Sequence, residues 1–119
     1  MAKISVPVSI AMRHKLLYNH PAPPQELSRI GDLHKEKGLL HDALEFYGVA
    51  KAKDGLETIV SEAVREADVV LYLNACKGLG RESQREQLEE LKTSAIRLGK
   101  GSIARRVDLL LVSKEDTND

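Results

Sequence analysis

The sequence predicts an all-α protein, and three observations carry that expectation. Hydrophobic residues make up 42% of the chain but aromatic residues only 3%, with no Trp and one Phe. The core must therefore be built of Leu, Ile, Val and Ala, a composition that favours helices. Apolar residues recur at three- and four-residue spacing over most of the chain. Gly and Pro gather at a few breaks, around residues 21–24, 38, 78–80 and 99–101, so the chain reads as helices separated by short links.

Residues 1–19 carry two patterns. Ile4, Val6, Val8 and Ile10 alternate as in a strand, whereas Met12, Leu16 and Leu17 space as in a helix starting after Pro7. The preferred reading is a helix from about 8 to 19. Pro21, Pro23 and Pro24 break the chain, and the last of them suits the first turn of a second helix running to Lys37. Gly38 is suited to a left-handed helix end, and a third segment resumes at His41 or Asp42 with Ala43, Leu44, Tyr47 and Ala50 on one face. The link is short, so the two helices form an antiparallel hairpin.

Asp54 with Glu57 has capping-box spacing and predicts the start of a long third helix. Its apolar positions, among them Ile59, Val64, Val70, Leu71 and Leu73, are too many for one narrow stripe, so it is expected to be buried on two sides. Gly78 and Gly80 end it. Ser83 with Glu86 predicts the next helix, striped by Leu88, Leu91, Ala95 and Leu98. After Gly99, Lys100 and Gly101, Ser102 is placed to cap a last helix carrying Ile103, Val107, Leu110 and Leu111, although residues 107–112 also have strand character. Residues 113–119 are polar and read as a frayed tail. The length of 119 residues fits one domain, large enough to bury roughly two thirds of its unfolded surface.

Residues 24–57 follow a fixed pattern of large, small and aromatic positions. From Pro24, Leu27 takes a large apolar place, Ile30 and Gly31 a large-small pair, Gly38 and Leu40 the turn, and Ala43, Leu44, Tyr47 and Ala50 follow at regular distances. This segment resembles a tetratricopeptide repeat. Small Gly31 and Ala43 suit a close helix approach, with Tyr47 filling the space beside them. His34, Lys51 and Gly55 depart from the pattern, standing where Tyr, Leu and Pro are common. The resemblance covers about a third of the chain, and neither the preceding nor the following segment carries a second copy. One such hairpin cannot bury its own faces, so the flanking helices are expected to cap it or a second chain to cover it.

The resemblance implies a protein-interaction module and no enzyme. In that family the first helix of a repeat lines the ligand groove, and the groove positions fall here on Gln25, Ser28, Asp32, Lys35 and Glu36. Ser28 and Asp32 stand where members that grip a peptide's terminal carboxylate place Lys and Asn, so that activity is not implied. The expected partners are another protein or peptide and a second copy of the chain in a two-fold dimer.

The alternative is a nucleic-acid-associated or regulatory helical protein. Lys92, Arg97, Lys100, Arg105 and Arg106 lie within one stretch that has no Asp or Glu, and they are candidate anion-binding residues. No aromatic residue interleaves with them to stack on bases. The whole chain has 18 basic and 18 acidic residues, without the bias of a dedicated nucleic-acid binder. No metal site or cofactor is expected. Cys76 is the single cysteine and reads as a structural thiol, and His34 and His41 are separated by the Gly38 turn. The Gly-Lys-Gly-Ser run at 99–102 lacks the preceding buried strand and the spacing of a phosphate loop. The N-terminal residues lack a signal-peptide apolar core, no segment has the length of a membrane span, and a reducing, cytoplasmic location is expected.

Overall fold

The computed structural model describes residues 5–117, and all regular structure among them is helical. The sequence readings that fall on residues 1–4, including the strand-like Ile4, and on 118–119 lie outside the described residues. The chain divides into two compact units, Met1–Glu57 and Thr58–Asp119, each built around its own helices.

In the first unit α1 (Ile10–His14) starts at Ser9, whose Oγ accepts from the Met12 N–H at 3.1 Å. The helix widens into a π-helical turn over Lys15–Asn19, closed by His20 N–H to Lys15 O at 3.0 Å. The expected helix therefore forms, but Val6 and Val8 stay outside it. Both are buried with Leu17, Leu27, Ile30 and Phe46, which accounts for the two patterns in residues 1–19. α2 (Pro24–Glu36) begins on Pro24, where a missing N–H costs nothing. It buries Leu27, Ile30, Gly31 and His34, and α3 (Leu40–Ala50) buries Ala43, Phe46 and Tyr47. Lys37, Gly38 and Leu39 join the two, which pack together as a hairpin. Arg13 pairs with Asp42 and Glu45, fixing α1 to α3.

Five helix ends share one geometry, in which the chain turns through a left-handed residue and two N–H groups close back on the last turn. At Gly38, Gly80 and Gly99 the left-handed residue is glycine, with φ of 76°, 70° and 74°. At Lys51 and Ala67 it is not, with φ of 55° and 56°. Ala52 N–H to Tyr47 O at 3.0 Å, and Asp68 N–H to Ala63 O at 2.9 Å, show the same closure there. A side chain in this conformation costs roughly 1–2 kcal/mol. Lys51 is exposed, so Lys51→Gly is expected to gain about 0.5–1 kcal/mol in denaturant melts.

The Ala67 turn corrects the long third helix. The segment is two helices, α4 (Lys53–Glu66), which spans the boundary between the units, and α5 (Val69–Gly78). Asp68 caps α5, its Oδ1 accepting from Leu71 N–H at 3.0 Å. The break removes the apparent surplus of apolar surface: Ile59, Val60, Ala63 and Val64 are buried from α4, and Val69, Leu71, Tyr72, Ala75 and Cys76 from α5. Val70 alone of the quoted residues is left 44% exposed.

The expected capping boxes are shifted. α4 starts at Lys53, which puts Asp54 in its first turn, and α6 (Arg85–Arg97) starts two residues past Ser83, with Gln84 at its cap. α7 (Gly101–Thr117) places Ser102 inside the helix and runs on as helix through 113–117, where fraying is expected from the sequence. Residues 107–112 are helical, not extended. α6 and α7 pack against each other through Leu88, Leu91, Ala95, Ala104 and Val107, all buried.

Candidate functional site

The ring of Tyr47 organises the first unit. Tyr47 is fully buried and lies against two glycines from different helices. A Cβ on Gly31 would come within 2.7 Å of the ring, and one on Gly55 within 2.6 Å. Neither glycine can carry a side chain without moving the tyrosine. Gly55, a departure from the repeat pattern in sequence, is thus a second wall of the same slot. The Tyr47 hydroxyl leaves the core and donates to Oδ1 of Asp32 on the outer side of α2. Burial, and then the carboxylate beside it, push the Tyr47 phenol well above its ordinary range. Tyr72 in the second unit is pushed up to about 12, chiefly by burial. Its hydroxyl donates to Gln87 Oε1 at 2.7 Å and accepts from Gln84 N–H at 2.9 Å, seating the start of α6.

Gln25, Ser28, Asp32, Lys35 and Glu36 recur on α2 at helical spacing, on the side opposite Leu27, Ile30, Gly31 and His34. Gln25, Asp32 and Glu36 are exposed, and Ser28 and Lys35 half-buried. Asp32 differs from the other four because its carboxylate is held from below by Tyr47. The result is a polar face of mixed sign on a helix whose core side is fixed by aromatic packing.

The five candidate anion-binding residues have different surroundings. Lys92 pairs with Asp108 at 2.7 Å. Lys100 donates to Glu66 O at 2.7 Å and Arg97 to Arg65 O at 3.5 Å, so these two cations neutralise the carbonyl end of α4. The lysine of the Gly-Lys-Gly-Ser run is therefore used to close a helix end. Arg105 and Arg106 are exposed on α7.

Because Arg97 and Lys100 meet the last residues of α4, α4 and α6 end side by side, and a furrow of about 460 Å³ separates them. Val60 and Val64 form its apolar base, with Ser61 on one side and Gln87, Glu90 and Ser94 on the other. These residues were not expected as a site; the signal was the polar spacing of 87, 90 and 94 on one helical face.

His34 is fully buried, stacked on Phe46 at 5.1 Å, with Nδ1 2.8 Å from Ile30 O. It is a packed core residue. Cys76 is buried in the second unit. Among the described residues no three His, Cys, Asp or Glu side chains converge as metal ligands, and no helix is long and apolar enough to cross a membrane. Comparison with family models, with curated proteins and with solved structures finds no match to this chain.

Proposed function

We propose that the protein is an interaction module of tetratricopeptide-like type, binding another protein through the outer face of α2. The observation that carries this reading is the Tyr47–Asp32 bond. An exposed carboxylate tied to a buried ring is an acceptor whose position is already paid for, and pre-organised groups of this kind favour binding over solvation. With Gln25, Ser28, Lys35 and Glu36 beside it, the face offers donors and acceptors of both signs, which suits a polar protein segment better than a phosphate backbone. The furrow between α4 and α6 supports the same reading, since two helices ending side by side form a track on which a chain can lie.

The test is affinity capture at moderate salt from the cell of origin, comparing the wild-type chain with Gln25→Ala/Lys35→Ala. Both residues lie outside the core, so stability should change by less than about 1 kcal/mol. One protein recovered in near-stoichiometric amount by the wild type and lost with the variant is expected. Equal recovery by both would remove α2 as the binding face. Asp32 is unsuitable for this test because its loss also releases Tyr47.

Self-association as a two-fold dimer belongs to the same proposal, with α7 as its seat. Leu109 and Val112 lie one turn apart and are 72% and 54% exposed, a stripe that a second copy would cover. Light scattering across a tenfold concentration range should show mass rising above the 13.2 kDa of one chain; a constant monomer mass would refute the dimer.

A further inference from the structure

The outward side of α7 has the spacing of a helix that packs on another helix. Ser102, Arg105, Leu109, Val112 and Asp116 follow one another along it at steps of three, four, three and four residues, which is the seam of a coiled coil. The opposite side is already used, since Ala104 and Val107 are buried against α6. Leu109 and Val112, the apolar middle of the seam, are exposed, and so is Arg105.

Charge is ordered along this helix. Arg105 and Arg106 stand in its first half, and no Asp or Glu lies between Leu91 and Val107; after Lys114 the sequence holds Glu115, Asp116 and Asp119 and no cation. That order opposes the helix dipole, which favours acidic residues at the start and basic ones at the end. Contacts inside the chain do not account for it. Asp108 is held by Lys92 at 2.7 Å and Glu115 by Arg85 at 3.3 Å, both from α6, whereas Arg105 and Arg106 have no ion-pair partner among the described residues. Arg105 and position 116 are separated by about 16 Å along the helix, too far to pair within one chain.

We infer that the second copy proposed for α7 docks antiparallel, about a two-fold axis passing between Leu110 and Leu111, so that Leu109 of each chain meets Val112 of the other and Arg105 of each meets Asp116 of the other. This rests on the dimer reading above and adds its orientation and contacts. A two-fold contact must be self-complementary, and this seam is so in one orientation only. A parallel pairing would set Arg105 on Arg105 and Asp116 on Asp116, and charged or polar residues on a seam fix orientation in this way. The antiparallel pairing also brings each basic half beside the carbonyl end of the other helix, which the dipole favours.

The experiment measures mass by light scattering on the full chain at low salt, across concentrations that bracket the wild-type monomer–dimer midpoint, for Arg105→Asp, Asp116→Arg and the double exchange. Each single change places like charges at both ends of the seam and should raise the midpoint about tenfold or more, while the double exchange restores opposite charges and should return it to within about threefold of the wild type. Recovery in the double also shows that the single variants are folded. A parallel dimer would be indifferent to either single change, because like charges already meet in it. A wild type that stays at 13.2 kDa would remove the dimer and this contact together. A dimer indifferent to both single changes, or one that the double exchange fails to restore, would keep the dimer and overturn the antiparallel seam.

Discussion

Ala43→Arg is expected to cost the first unit about 3–5 kcal/mol, enough to unfold a marginal domain. Ala43 is fully buried on α3, on the side that packs against α2. An arginine there must either desolvate its guanidinium on the buried side of α3, which also carries Phe46 and Tyr47, or push the helices apart, and both outcomes lose the hairpin. Thermal melting by circular dichroism reads the effect directly. A variant as stable as the wild type would mean that α2 and α3 do not pack through this residue.

Tyr47→Ala is expected to cost about 3–5 kcal/mol, because it empties the slot between Gly31 and Gly55. The more searching form of the experiment is a double-mutant cycle with Gly31→Ala. In the wild type the new methyl meets the tyrosine ring and destabilises by about 1–3 kcal/mol. In the Tyr47→Ala background the ring is gone, and the same change should be neutral or gain up to about 1 kcal/mol from helix propensity. Equal effects in both backgrounds would show that the glycine is not there for the ring. Tyr47→Phe keeps the packing and loses the bond to Asp32, at about 1 kcal/mol.

The same tyrosines predict an alkaline limit. The unfolded chain releases its phenolic protons near pH 10, whereas the folded chain holds those of Tyr47 and Tyr72 to higher pH, the latter to about 12. Their contribution is complete below pH 10 and is lost as pH rises toward the folded values. Stability should fall across that window, and Tyr47→Phe should flatten the fall.

Where the sequence was readable, the signal was periodicity punctuated by glycine. Gly38, Gly80 and Gly99 mark helix ends because glycine accepts the left-handed turn without strain, and the α2–α3 hairpin follows from apolar spacing together with the short link at Gly38. The α4–α5 break escaped because Ala67 makes the same turn with a methyl group, and alanine in sequence signals helix continuation. Asp68 marked the new helix start, but a capping Asp inside an apolar stretch is hidden by the stripe around it. The α2 residues were singled out only through the resemblance to the repeat, and the hold of Tyr47 on Asp32 was not legible at all, since it depends on where the ring enters the slot. The cationic stretch read as a surface patch because the end of α4, where Arg97 and Lys100 act, lies more than thirty residues away.

The central claim is that α2 presents a protein-binding face, and site-specific photo-crosslinking tests it most directly. A photoreactive residue is placed at Gln25, with Ser102 on α7 as the control position, and the chain is irradiated in its cell of origin. The claim predicts one discrete crosslinked protein from position 25, absent from position 102 and lost when Lys35→Ala is added. Crosslinking of that same protein in equal yield from both positions, a second copy of this chain on α7 apart, or nucleic acid in place of protein at position 25, would contradict it.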